Sequence, residues 1–342
     1  MFNKVLVALD FSGPAMELFN SLEDLRRLGC RELLLVHVVR VELGVQDGIH
    51  PMQKKFLEKV KSKKEELEQE GFNVTVEVPS GAVVEEIKRL AVEQKADLIL
   101  IGSIGEGSAV RELMLGSTTA DVVRIAPLPV LVEKYFFDFS KEMNKKLADL
   151  ADRLGTFVEN IVTPNMPSAA REYSQLSGEL LYIAEQIKKK PLAGNTTAQR
   201  IPIFKDNLAS VVLPTDFSQS AEYVFNRVLE LAGMLKEVIL LNVVDRGETV
   251  EEIKNTEIQA GEYLKQWEKK FLENGVKARS IVLVGTPASS HIISTAEKEG
   301  ASLIALSRRG KGQLSNLFIG STADQVVRRS HCPVLLFGKS GN

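Results

Sequence analysis

Residues 96–107, ADLILIGSIGEG, are echoed by residues 301–312, ASLIALSRRGKG. Working outward, RELMLGSTTADVVR (111–124) is echoed by SNLFIGSTADQVVR (315–328), and APLPVLV (126–132) by HCPVLL (331–336). The openings match too, VLVALDFS at 5–12 and VVLPTDFS at 211–218. A second copy carried at this length means two folded units of one kind. A glycine-bearing loop held at the same place in both points to a ligand site built from backbone.

Each copy alternates short β-branched runs with amphipathic stretches, the pattern of a parallel sheet covered by helices on both faces. In the first copy strands are expected at 4–9, 33–39, 73–78, 98–101 and 130–132, with helices at 15–28, 52–70, 83–94 and 117–125. The second copy predicts strands at 210–213, 238–243, 278–283, 303–306 and 334–337. Its helices fall at 221–234, 251–274, 289–299 and 321–330. Five strands with right-handed crossovers make a doubly wound, Rossmann-like α/β sheet, on which ligands sit beyond the carboxyl ends of the strands. Attention therefore falls on Asp10 and Asp216, on the strand ends Val38 and Val243, and on the loops after Ile101 and Leu306.

The bulk numbers exclude several classes. A length of 342 residues allows two or three domains, and 44% hydrophobic with 26% charged residues is ordinary for a soluble globular protein. A formal charge of −2, from 43 basic and 45 acidic side chains, provides no field that would draw the chain to nucleic acid or membrane. No apolar run approaches the roughly 20 residues of a spanning helix. The start, MFNKVLVALDFS, reads as a first strand: an Asp interrupts it and no small-residue cleavage site follows. Cys30 and Cys332 lie in different copies and outside any CxxC, which suits reduced thiols in the cytoplasm. His37, His50, His291 and His331 lack metal-ligand spacing.

Between the copies lies a stretch without counterpart. Met143, Leu147, Leu150, Leu154, Phe157, Val158 and Ile161 fall at helical spacing. TPNMP at 163–167 interrupts, and Tyr173, Leu176, Leu180, Ile183, Ala184 and Ile187 resume the period. The expected organisation is a first domain at 1–137, a helical hairpin at 138–190, a polar linker at 191–206 and a second domain at 207–342. The hairpin would serve as a spacer, as a surface packing against a second subunit, or as a dock for a distinct protein partner.

In the second copy Ser307-Arg308-Arg309-Gly310 follows strand four, and nine residues later comes Gly320-Ser321-Thr322. The first copy has Gly102-Ser103-Ile104-Gly105, then ten residues, then Gly116-Ser117-Thr118. Glycine lets backbone approach an oxygen-rich ligand with no Cβ in the way. Gly-Ser-Thr opening a helix offers free N–H groups and hydroxyls, which suit a phosphate. Alone, such a loop is equally a tight turn after a strand; the pairing of both segments, found twice, is more specific.

The strand-end Asp, the spaced glycines followed by Gly-Ser/Thr, and the closing P-V-L strand together resemble the universal stress protein family. The likeness is to its tandem form and covers about 1–135 and 207–338. It implies two doubly wound five-stranded parallel sheets of the adenine nucleotide alpha hydrolase-like kind, with the last strands pairing where the domains meet. It also implies ATP as ligand, with or without Mg2+. The loop after strand one and the end of strand two would hold adenine and ribose, and the glycine segments the phosphates. Carried over by motif position, the second copy would use Pro214, Thr215, Asp216, Val243, Ser307, Arg309, Gly310, Gly320, Ser321 and Thr322. The first would use Leu9, Asp10, Val38, Gly102, Ile104, Gly105, Gly116, Ser117 and Thr118.

The copies depart from the pattern differently. The second has Ser307 in place of the first glycine, with Arg308, Arg309 and Lys311 adding positive charge where a triphosphate is expected. The first keeps both loop glycines but has one extra residue before Gly116, Leu9 in place of Thr215, and Glu106 and Glu112 flanking the loop. The expectation is a tighter site in the second copy and a weak or empty one in the first. Asp10 and Asp216 are read as ribose or Mg2+ contacts or helix caps ahead of catalytic carboxylates. His37 is expected in the core or at a strand end, His291 at the surface, and Trp267 with Tyr263 in the core. No Ser/His/Asp or Cys/His set stands at catalytic placement. The paired acids of a receiver domain, the phosphate loop of a flavodoxin, G-x-G-x-x-G and a Walker A lysine are all missing. The leading expectation is a cytoplasmic, homodimeric, nucleotide-responsive stress factor. A slow ATPase using Asp216 on Mg2+, and a nucleotide-free scaffold, are the alternatives.

Overall fold

A computed structural model of the protein describes residues 2–9, 18–39, 51–103, 115–136, 199–200, 202–205, 208–310 and 319–338. The chain divides into two compact units, one of Met1–Tyr135 with Arg200–Asn342, the other Phe136–Gln199. Both repeats belong to the first unit. The expected hairpin at 138–190 lies outside the described residues.

The first repeat runs β1 (Lys4–Ala8), a 3-10 turn (Leu18–Ser21) leading into α1 (Leu22–Arg27), β2 (Glu32–Val36), α2 (Pro51–Gln69) and β3 (Asn73–Glu77). It continues with α3 (Val83–Glu93), β4 (Leu98–Gly102), α4 (Ser117–Ile125) and β5 (Val130–Glu133). A short β6 (Phe204–Lys205) precedes the second repeat: β7 (Leu208–Pro214), α5 (Gln219–Leu229), β8 (Leu235–Val244), α6 (Val250–Glu273) and β9 (Lys277–Val284). Then come α7 (Ala288–Lys298), β10 (Leu303–Ser307), α8 (Ser321–Arg329) and β11 (Val334–Phe337). Every strand anticipated from the repeat is present, most of them extended or trimmed by a residue or two at the ends, as termini of elements usually are.

The strands join in one 11-stranded sheet ordered β9-β8-β7-β10-β11-β5-β4-β1-β2-β3, with β6 antiparallel to β7. Each repeat is parallel internally. The two halves meet through the antiparallel pair β11–β5, Val334 opposite Val132 and Leu336 opposite Val130. The central strands are buried on both faces, which is why they read as unbroken runs such as LLLV and LILI rather than alternating ones. One face carries a core continuous across both repeats, with Ile87, Val122, Val123, Ile292, Val326 and Val327 of α3, α4, α7 and α8 over Leu6, Ile99, Val130, Val212, Ile304 and Val334. On the opposite face Phe225 of α5 packs on Trp267 and Phe271 of α6, at centroid distances of 4.3 and 5.3 Å. Tyr263 departs from expectation: it is 55% exposed, its ring turned to Phe217 at 5.4 Å. Among the described residues no helix is long and apolar enough to cross a membrane.

Candidate functional site

In each repeat the order 3-2-1-4-5 places strands one and four side by side, with connections departing in opposite directions from that point. A crevice opens there at the carboxyl ends. In the second repeat those strands are β7 and β10, paired Leu303 with Val211 and Ile304 with Val212.

The loop leaving β7 is built from its own side chains. The Thr215 amide donates to Leu241 O (2.8 Å), and its carbonyl accepts from Asn242 Nδ2 (2.8 Å). Thr215 Oγ1 then accepts from the Phe217 amide (2.9 Å), and Asp216 Oδ1 from the Ser218 amide (3.0 Å). These bonds turn the chain sharply enough to put Phe217 at φ 58°, a left-handed conformation that costs a side-chain-bearing residue about 1 kcal/mol. Its ring, set against Tyr263 and Trp267, offsets that cost. Ser218 next caps α5, its Oγ accepting from the Ala221 amide (3.2 Å).

The loop leaving β10 meets this turn. A Cβ at residue 310 would lie 2.5 Å from Asp216 Oδ2, so Gly310 and the Asp216 carboxylate are in direct contact. A Cβ at residue 320 would come 3.3 Å from Arg308 O, and the Gly320 amide donates to that same carbonyl (2.7 Å). The two glycine segments thus lie backbone against backbone. Ser307, standing where the family pattern has glycine, donates its hydroxyl to Arg309 O and closes the loop from within. Gly320 is the N-cap of α8 and has no side chain to offer the amides of Ser321, Thr322 and Ala323. Bare amides at a helix N-terminus beside a close-packed glycine loop and a carboxylate make a cradle for an oxygen-rich ligand. Pro214 ends β7 and is half-buried; Val243, near the end of β8, packs on the shared core.

The first repeat reproduces part of this frame. The Gly116 amide donates to Ser103 O (2.8 Å), matching Gly320 and Arg308, and Gly116 is likewise the N-cap of α4. Thr119 Oγ1 donates to Gly102 O (2.7 Å), a tie between helix and strand end that the second repeat, with Ala323 at that place, does not make. Leu9 and Val38 are buried at the ends of β1 and β2, Ser117 is exposed and Thr118 half-buried. Asp10, Ile104 and Gly105 lie outside the described residues.

One side chain, Asn242, escaped the sequence reading, and His37, expected in the core or at a strand end, is buried just past β2. Asn242 and His37 occupy the same place in the two copies, and each bonds the carbonyl that precedes the strand-one Asp. His37 Nδ1 is 3.1 Å from Leu9 O, and the ring stacks on Phe56 at 4.6 Å. A lone polar residue at matching points of LLLVHVV and VILLNVV was the available signal. Arg308 is a correction. It is 5% exposed and donates through both terminal nitrogens to Ala126 O and Leu128 O of the first repeat, so it adds no charge to the crevice. Among the described residues no group of three or more His, Cys, Asp or Glu could hold a metal ion.

The universal stress protein family model matches residues 1–134 and 208–338, the two repeats. Universal stress protein MJ0577 of Methanocaldococcus jannaschii is 30% identical over 151 residues, covering 37% of this chain and 92% of its own length. Universal stress protein MJ0531 of the same organism is 34% identical over 144 residues, 38% of this chain and 81% of its own. Among solved structures, a universal stress protein from Archaeoglobus fulgidus covers 100% of both chains at a TM-score of 0.59 and 19% identity, a likeness of fold. With both repeats matched by one family model, the chain belongs to the universal stress protein family.

Proposed function

We propose that this protein binds ATP and acts as a nucleotide-responsive stress or regulatory factor, with the tighter site in its second repeat. The observation that carries the reading is the cradle in which the Asp216 carboxylate, Gly310 and Gly320 are in contact at the sheet's crevice, beside the bare amides of α8. Thr215, Asp216 and Val243 would face the nucleoside. Ser307, Arg309, Gly310, Gly320, Ser321 and Thr322 would face the phosphates, any Mg2+ arriving with them. Charge along the sequence favours this repeat: Arg309 and Lys311 adjoin Gly310, whereas Glu106 follows Gly105 and Glu112 precedes Gly116 in the other. The protein is assigned to the cytoplasm, in keeping with its two free, buried thiols. The insert at 138–190 is assigned to homodimer formation.

Isothermal titration of the full-length chain with ATP tests the reading. Gly320→Asp, which sets a carboxylate at the helix N-terminus, is expected to abolish the tighter binding event, and Gly116→Asp to leave it intact. Loss of the tighter event in the Gly116 variant alone would place the stronger site in the first repeat and overturn the assignment.

A further inference from the structure

Each repeat sends one cation across the β11–β5 joint, but from a different strand. Matching backbone bonds define the equivalence: the Ser103 amide donates to Glu133 O (2.8 Å), and the Arg308 amide to Phe337 O (2.9 Å). Ser103 therefore corresponds to Arg308, and Lys134 to Gly338. In the first repeat the cation is Lys134, 5% exposed, whose Nζ donates to Val327 O in the last turn of α8. In the second it is Arg308, whose guanidinium bonds Ala126 O, at the C-cap of α4, and Leu128 O. A Cβ at residue 338 would lie 3.5 Å from that guanidinium, in van der Waals contact, so a side chain extending further would compete with Arg308. Where one position carries the cation, its neighbour on the adjacent strand is small. Both cations address a helix C-terminus, which carries partial negative charge. Burial pulls Arg308 down to about 10, with Arg309 acting in the same direction, and the guanidinium stays charged at neutral pH.

The consequence of the exchange is unequal. Lys134 leaves from the end of β5 and is not itself a member of a glycine segment. Arg308 is itself part of the crevice: its carbonyl holds the Gly320 amide, and Gly310 follows two residues later. We propose that Arg308 is a positioning residue that anchors the second repeat's phosphate-binding segments to the first repeat, so that the second site is incomplete without the end of α4. This rests on the ATP reading above. Ser103 also holds the Gly116 amide on its carbonyl, but its side chain is too short to cross the joint.

The test transplants one arrangement onto the other in the full-length protein. Arg308→Ser with Gly338→Lys recreates the Ser103/Lys134 pair, sending a lysine toward Val123 O, the counterpart of Val327 O. The expected result is a melting temperature restored above that of Arg308→Ser alone, with ATP affinity still lowered about tenfold and adenosine affinity unchanged. A role in stability alone would bring ATP affinity back together with the melting temperature, and that result overturns the proposal. Arg308→Lys, a milder variant, covers failure of the double variant to fold. It too must weaken ATP relative to adenosine, and an unchanged ratio overturns the proposal. If the unmodified protein binds no ATP, the functional reading falls and this inference with it. If it binds ATP and the variants bind it equally well, only the inference falls.

Discussion

Replacing Gly310 by alanine tests the contact on which the site is built. Gly310 is not among the residues at positive φ, so a methyl group costs nothing through backbone conformation. The cost comes from contact: the new Cβ would stand 2.5 Å from Asp216 Oδ2. The carboxylate must withdraw by roughly 1 Å to reach ordinary van der Waals separation. It cannot do so and keep Oδ1 on the Ser218 amide at 3.0 Å. Loss of that bond, with the accompanying departure from a rotamer minimum, amounts to about 1–2 kcal/mol. In an Asp216→Ala background the obstructing carboxylate is gone, and Gly310→Ala should cost under about 0.5 kcal/mol. Urea denaturation of the four proteins in this double-mutant cycle measures the coupling, expected near 1 kcal/mol with an unchanged slope. Equal destabilisation by Gly310→Ala in both backgrounds would refute the argument that Asp216 and Gly310 define one site.

Glu133 supplies a pH-dependent test. It is fully buried in β5, and burial pushes its carboxyl up to about 8 from 4.5, the Ser21 hydroxyl acting the other way. Between those values the folded state holds a proton that the unfolded state has lost, so stability falls as pH rises through the window. Glu133→Gln should flatten this slope and gain about 3 kcal/mol on the unmodified protein between pH 5 and pH 7; parallel profiles in chemical denaturation would contradict it. Lys134, drawn down to about 8 by burial, acts with the opposite sign and only above that pH, as the unfolded lysine then holds the extra proton. Asn242→Asp removes the donor to Thr215 O and should cost about 2 kcal/mol, read as a lowered urea midpoint. A shift no larger than that of an exposed substitution would show that the bond is dispensable.

The frame of the site was legible because it is local. Asp216, Gly310 and Gly320 follow strand ends, and a strand end can be read from where an apolar run stops. Their grouping follows from the order of a doubly wound sheet, which sets strands one and four side by side. Asn242 was passed over because a lone polar residue in a buried run reads as an exception, and His37 was placed in the core without its bond. Only the carbonyl that each meets, 27 or 28 residues back along the chain, gives it a purpose.

Repetition of the 96–107 motif at 301–312 was enough to establish two doubly wound α/β units, their sequence of elements and the candidate crevices. Periodicity and glycine spacing are properties of short segments, and both survive in any arrangement of the two halves. The family resemblance added that the last strands of the two halves would pair, as β11 and β5 do. The antiparallel register of that joint and the crossing of Lys134 and Arg308 onto opposite helix ends depend on groups separated by 180 or more residues. Arg308 shows the difference most clearly. Beside Arg309 and Gly310 it looks like a cation for a phosphate, yet its guanidinium finds two backbone carbonyls in the other repeat. A buried charge goes where carbonyls can meet it, and the tertiary fold decides where those carbonyls are.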